Sequence, residues 1–190
     1  MPLQNEQVKA LIITCFVSII TLGCGDESQD VSEEFNYDPV KDQYKDNAIN
    51  IASIAYAPSI RNSILLAVKQ INEAGGVLNK ELNAVTLVSN STEDAVRQAK
   101  ALLNYDIKTL NVSYSSRSKA VSSLTIAQQI PLISESATSP FFSTYADDDL
   151  YFRLAPSDII QSQILAEIAI EQGYKTAITV HNDTDQYGET

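Results

Sequence analysis

Hydroxyl-bearing side chains follow two short apolar segments in the middle of the sequence. One loop, residues 113–118, comes after the apolar segment 110–112, and a second, residues 134–140, comes after the segment 130–133. If both segments are parallel strands, their carboxyl ends meet at one edge of a sheet, where small ligands bind in open parallel sheets. Hydroxyl groups and free N–H groups at a helix N-terminus suit a small anionic or zwitterionic ligand. The two loops therefore predict half of a binding cleft.

The elements that position these loops alternate between strand and helix. Between the loops, apolar residues recur at helical spacing, which predicts a βαβ unit; they are Ala120, Val121, Leu124 and Ala127. The remaining apolar segments predict strands at 49–56, 84–88, 109–112, 130–134, 150–155 and 175–181. Apolar stripes between them predict helices, which contain Leu65, Leu102, Leu124 and Leu165. This order predicts an α/β fold with a doubly wound parallel sheet.

The acidic residues are concentrated near the start of the chain. The net charge is −11, which argues against nucleic acid as a partner, because little here would neutralise phosphates. Residues 25–46 hold eight acidic residues against two lysines, with few large apolar side chains. This composition predicts an acidic flexible tether over 25–46. A specific docking role for the tether is the alternative interpretation.

The first 24 residues have the composition of an export signal. Residues 10–22 form a continuous apolar run that is too short to span a bilayer comfortably but suits a signal-peptide core. The run ends at Leu22-Gly23-Cys24, which resembles the lipidation signal of bacterial lipoproteins and predicts a lipid anchor on Cys24. Plain secretion and an uncleaved anchor are the alternatives. All three place the folded body outside the cytoplasm, in the periplasm or on the cell surface.

The sequence contains no pattern typical of an enzyme, a metal site or a cofactor site. The two cysteines, Cys15 and Cys24, lie in the apolar leader, and the single histidine, His181, has too few partners for a metal. The pair Gly75-Gly76 follows a predicted helix, so it predicts a C-cap and turn rather than a dinucleotide fingerprint. We expect no catalytic residues, no metal and no cofactor.

Four stretches resemble the N-terminal part of the type I periplasmic binding proteins, over about residues 49–190. The resemblance is greatest to the leucine/isoleucine/valine-binding branch, the substrate-binding components of ABC transporters. The stretches are Val68-Lys69-Gln70-Ile71-Asn72-Glu73-Ala74-Gly75-Gly76, Ser116-Arg117-Ser118, Pro131-Leu132-Ile133-Ser134 through Ala137-Thr138-Ser139-Pro140, and Asp185-Gln186-Tyr187-Gly188-Glu189.

The resemblance implies two lobes that close on a small, amino-acid-like ligand, and an ABC permease of the inner membrane as partner. It implies that residues 47–155 form ligand-binding lobe one and that residues 156–190 begin a truncated lobe two. The family's ligand contacts correspond to five positions here. Ser116 would bind a ligand carboxylate, Ala137 and Thr138 an ammonium, Tyr187 would contact the ligand from lobe two, and Tyr56 would contribute only loosely.

Departures from the family pattern leave alternatives open. Glu135 and Ser136 stand where the family has proline or serine and then glycine, and Arg117 replaces a small polar residue. Glu135 and Arg117 either neutralise each other or attract a ligand of complementary charge. A ligand-sensing receptor ectodomain of the same fold and a truncated non-functional fragment are the alternative functions.

Overall fold

The computed structural model describes residues 38–180, and within them five parallel strands form one sheet. The strands are β1 (Ile49–Ala55), β2 (Leu82–Val88), β3 (Ile107–Val112), β4 (Leu132–Ser134) and β5 (Tyr151–Arg153). The helices are α1 (Pro58–Glu73), α2 (Thr92–Leu102), α3 (Ser115–Ala127) and α4 (Asp158–Glu171), with a short 3₁₀ helix at Pro140–Ser143. The strand order is β2-β1-β3-β4-β5, which confirms the predicted α/β fold.

The order of the strands places helices on both faces of the sheet. The crossover through α1 runs to one side of β1, whereas those through α2 and α3 run to the other. Because such crossovers are right-handed, α1 lies on the face opposite to α2 and α3. The main core lies beneath α2 and α3, where Ile54, Leu110 and Val112 are fully buried. None of the side chains of α1 or α4 is buried.

The turn after α1 requires glycine, as the sequence predicts. Gly75 and Gly76 both have positive φ, 106° and 76°. A Cβ on Gly76 would lie 2.1 Å from the carbonyl oxygen of Lys80. Only glycine therefore fits this turn without movement of the backbone.

Part of the predicted tether belongs to the folded body. Val40 is fully buried in the core cluster, and the ring of Tyr44 lies 5.1 Å from that of Tyr105. The side chain of Gln43 accepts a hydrogen bond from the backbone N–H of Thr86 in the edge strand β2, at 2.9 Å. The predicted tether, 25–46, therefore ends too late in the sequence. Its residues from 38 onward belong to the folded body, because apolar and aromatic residues among the charges pack on the sheet. Residues 25–37 lie outside the described part.

The last two predicted strands differ most from the structure. The predicted strand 175–181 is wrong for its described residues, since 175–180 form no strand and Ile178 and Val180 are each 93% exposed. A parallel strand requires a neighbour for its hydrogen bonds, and none pairs with it among residues 38–180. The strand predicted at 150–155 shortens to β5.

None of the helices within residues 38–180 has the length and apolar character needed to cross a bilayer. The division into lobes at residues 155 and 156 stays a prediction.

We predict that Leu110→Ala lowers the free energy of unfolding by about 2–5 kcal/mol, because it leaves a cavity in the centre of the core. Leu110 is fully buried, whereas Leu66 on α1 is 56% exposed and provides a matched control. Leu66→Ala should change the free energy by no more than about 0.5 kcal/mol. Chemical denaturation measures both, and equal effects would contradict the position of the core.

A second prediction concerns pH. The Tyr105 hydroxyl donates to Asp38 Oδ2 at 2.5 Å and lowers the pKa of Asp38 below its usual 3.8. A carboxyl with a lowered pKa stabilises the fold above its unfolded pKa, and this stabilisation is lost as the pH falls through the folded value. Tyr105→Phe should therefore destabilise the protein at pH 7, and the difference should shrink below about pH 4.

Unfolding of the wild type and Tyr105→Phe across this pH range measures the effect. Tyr174 is 69% exposed, so Tyr174→Phe is the control and should have no effect at either pH. A loss of stability in Tyr105→Phe that does not change with pH would rule out the pairing with Asp38.

Candidate functional site

The loops after β3 and β4 begin side by side at the carboxyl edge of the sheet. Leu110 pairs with Leu132 and Asn111 with Ile133 in the parallel ladder. Because the two strands end at the same level, the backbones that follow them are neighbours. This geometry is the one that the sequence predicted for half of a cleft.

Three hydrogen bonds tie these loops together, and we call the two loops with these bonds the β3–β4 clasp. The backbone N–H of Tyr114 donates to Ser136 Oγ at 3.0 Å, and that of Ser139 donates to Ser115 Oγ at 3.2 Å. Ser113 Oγ donates to Glu135 Oε1 at 2.5 Å. The clasp therefore joins the two loops through groups of the protein itself.

The predicted carboxylate contact, Ser116, lies half-buried in the first turn of α3. The first N–H groups of an α-helix have no acceptor within the helix, and no side chain caps this one, because Tyr114 at the N-cap position provides no acceptor. The helix dipole adds a partial positive charge at the same place. Ser116 therefore lies where an anionic group could be received.

The predicted ammonium contacts lie in the opposite half of the clasp. Ala137 is fully buried, and its N–H donates to Ser134 Oγ at 3.2 Å. Thr138 is half-buried, and its hydroxyl donates to Asp158 Oδ2 at 2.8 Å while its carbonyl accepts from the Asp158 N–H at 2.9 Å. Thr138 thus joins the clasp to the start of α4, and its hydroxyl proton is already committed to Asp158.

Two tyrosine rings, those of Tyr56 and Tyr114, lie next to each other at the carboxyl edge of the sheet. Tyr56, just after β1, is 39% exposed, and its ring lies 4.5 Å from that of Tyr114. Partial burial, together with the neighbouring Tyr56, raises the pKa of Tyr114. The Arg117 guanidinium lies 5.2 Å from the centre of the Tyr114 ring, which is a cation–π distance. The structure therefore brings Tyr56 and the loop after β3 together.

Tyr114 has a backbone conformation that side chains seldom adopt. Its φ is 70° and its ψ is 147°, in a region that is nearly exclusive to glycine. The hydrogen bond from its N–H to Ser136 and the contact with Tyr56 hold it there. Such strain concentrates at functional sites.

Two of the predicted site residues, Tyr187 and Cys24, lie outside residues 38–180, as does His181. Their predicted roles stay predictions. Among the described residues, no three His, Cys, Asp or Glu side chains come close enough to hold a metal ion.

The residues that fix the clasp were not predicted from the sequence. The hydroxyl groups were predicted as ligand contacts, whereas several are buried and form hydrogen bonds with other groups of the protein. The high density of serine in these loops could have indicated this, because hydroxyl groups that become buried need hydrogen-bond partners within the protein. These residues are Ser113, Ser115, Ser134 and Ser139.

Comparison with known proteins identifies the family. The family model described as "Receptor family ligand binding region" matches residues 59–190. The chain belongs to this family.

Solved structures agree with this ligand-binding family. One is an ABC transporter substrate-binding protein from Desulfitobacterium hafniense, with 26% identity, a TM-score of 0.64, and 75% of this chain covered. A second, also from D. hafniense and described as a complex with Leu, has 26% identity, a TM-score of 0.65 and the same coverage. The chain spans 44% of the length of each. A search of curated proteins finds no match.

These findings confirm the resemblance to the type I periplasmic binding proteins and fit the N-terminal part of such a protein. The family and both structures are described as binding proteins rather than enzymes. Within the receptor family ligand-binding region, the clasp of this chain lies at the edge where open parallel sheets bind small ligands.

We predict that Tyr114→Gly is more stable than Tyr114→Ala by about 1 kcal/mol, because glycine adopts the positive φ without strain. Both variants lose the ring, so their difference isolates the backbone. At the exposed Ser123 within α3 the order should reverse, with glycine about 1 kcal/mol less stable than alanine. Thermal or chemical unfolding of the four variants measures this, and the same order at both positions would refute strain at Tyr114.

Proposed function

We propose that this chain belongs to an extracytoplasmic solute-binding protein that captures an amino acid or a similar small polar molecule for an ABC transporter. The observation that carries the proposal is the β3–β4 clasp, which holds the uncapped N-terminus of α3 beside Ala137 and Thr138. The names of the two solved neighbours, and the leucine of one of them, support the same role.

The ligand's two charged groups would meet opposite halves of the clasp. Its carboxylate would accept hydrogen bonds from the hydroxyl and N–H of Ser116 and would lie at the positive end of the α3 dipole. Its ammonium would meet the carbonyl of Ala137 and the hydroxyl oxygen of Thr138, which can accept while its own O–H donates to Asp158. Tyr56 would cover the apolar part.

Closure of a second lobe would supply the remaining affinity. Tyr187 would then contact the ligand from that lobe, and exclusion of water would strengthen each polar contact. A hydrogen bond that involves a charge contributes about 1.5–3 kcal/mol. Several such bonds are enough for micromolar binding.

Export and anchoring complete the proposal. The apolar leader would direct the chain across the membrane, and a lipid on Cys24 would hold it at the surface beside the permease. Residues 25–37, with their surplus of acidic groups, would serve as a spacer between anchor and folded body.

A receptor ectodomain that reports its ligand without transport is the second candidate. The description of the matching family as a receptor ligand-binding region favours it. The coding sequence beyond residue 190 distinguishes the two, because a transmembrane helix followed by a signalling domain would indicate a sensor. A non-functional fragment would bind no ligand at all.

Isothermal titration of the full-length protein, with its second lobe, with the amino acids tests the proposal. We expect micromolar binding to at least one, and Ser116→Ala should weaken it about tenfold, because it removes one hydrogen bond to a charged group. Ser123, exposed on the same helix, provides the control, and Ser123→Ala should leave the affinity unchanged. If none of the amino acids produced heat of binding, or if Ser116→Ala and Ser123→Ala had equal affinities, the result would contradict this site.

A further inference from the structure

Glu135 places a carboxylate between the two halves of the clasp. Its Oε1 accepts from Ser113 Oγ at 2.5 Å, and its Oε2 accepts from Asn111 Nδ2 at 3.1 Å. Both donors belong to β3 or its loop, whereas Glu135 directly follows β4. The carboxylate therefore lies over the ends of both strands, two residues before Ala137.

The orientation of this carboxylate is fixed on several sides. Ser113 is fully buried, and the side chain of Asn111 is held in turn by Ser53, whose Oγ donates to Asn111 Oδ1 at 3.3 Å. Ser136 Oγ contributes a further contact to Glu135 Oε1, at 3.3 Å. The side chain remains half-buried rather than enclosed. A group held in this way is preorganised to receive a partner.

No cation neutralises Glu135 within the described part of the chain. The ion pairs found there all involve other carboxylates. Arg117, the partner that the sequence suggested, places its guanidinium against the ring of Tyr114 instead. Its Nη1 is buried without a hydrogen-bond acceptor. The two charges at this edge therefore do not cancel each other by direct contact.

An uncompensated carboxylate in a closing cleft discriminates between ligands by charge. Closure removes water, and a charge that loses water without a partner is costly. A positively charged ligand group would supply the missing partner, an uncharged aliphatic group would not, and an anionic group would add repulsion.

We propose that Glu135 selects a ligand with a positively charged side chain, that is, an amino acid or related small molecule with an ammonium or guanidinium group besides its α-ammonium. This inference rests on the proposed function, because it assigns the α-ammonium to Ala137 and Thr138 and leaves Glu135 for the second charge. It separates the ligand class of this chain from the leucine found in complex with one solved neighbour.

The variant Glu135→Gln removes the charge and keeps the clasp. The amide oxygen of glutamine can still accept from Ser113. Its N–H₂ group would face Asn111, whose own amide can flip so that its oxygen accepts and its nitrogen donates to Ser53. A purely structural role for Glu135 therefore predicts little change in this variant. The matched control is Glu171→Gln, the same change of charge at an exposed residue at the end of α4.

The experiment titrates the wild type and both variants with L-lysine, L-leucine and L-glutamate, which share their backbone groups and differ in side-chain charge. In the wild type, lysine should bind more tightly than leucine, and glutamate more weakly. Glu135→Gln should weaken lysine binding about tenfold and leave leucine binding within about twofold. Glu171→Gln should behave as the wild type.

Tighter binding of glutamate than of lysine by the wild type would overturn the proposal without any variant. If Glu135→Gln lost the same affinity for lysine as for leucine, at an unchanged melting temperature, Glu135 would only join the two loops and would not select the ligand. Both results leave the proposed function intact. If the wild type binds none of the twenty amino acids, the proposed function fails, and the proposal for Glu135 fails with it.

Discussion

The parallel register between β3 and β4 is the constraint on which the candidate site depends. It brings two loops that are about twenty residues apart in sequence to neighbouring positions. Parallel pairing also requires a crossover, and the crossover helix α3 must then begin at the same edge. One ladder thus positions Ser116, the α3 N-terminus and the residues from Glu135 to Thr138 together.

Serine side chains, several of them buried, form many of the hydrogen bonds at this edge. Polar loops beside a sheet end must satisfy backbone groups that no strand can pair. Here short hydroxyl side chains reach across from one loop to the other, as Ser136 does for Tyr114 and Ser115 for Ser139. Because a hydroxyl both donates and accepts, it ties a loop without adding charge. Within the two loops, residues 113–118 and 134–140, the formal charges belong to Glu135 and Arg117.

The strand and helix order was predictable because it depends on local pattern. Apolar runs such as 49–56, together with the glycine pair after α1, specify a parallel sheet and its turns without knowledge of the tertiary structure. The position of Ser116 and Thr138 followed from the same topology. What each hydroxyl binds could not be predicted, because Thr138 meets Asp158 only once β5 and α4 are in place. The conformation of Tyr114 likewise depends on contacts from two other segments.

The ends of elements were predicted less well, again for a physical reason. The acidic composition of residues 25–46 indicated a solvated segment, yet Val40 and Tyr44 are enough to attach its second half to the core. Conversely, the apolar residues at 175–180 have strand composition but no neighbouring strand in the described part. Burial depends on partners that a single segment does not encode.

The segment that packs on β2 has a consequence for self-association. An edge strand offers unpaired backbone groups to other chains, and such edges nucleate aggregates. On β2, the amide side chain of Gln43 occupies the N–H of Thr86, and that of Asn72 bonds both the N–H and the carbonyl of Leu82. Two side-chain amides thus shield this strand from foreign β-pairing. The protection at Thr86 depends on Gln43 and therefore on the docking of residues 38–46, so these residues contribute to solubility as well as to stability.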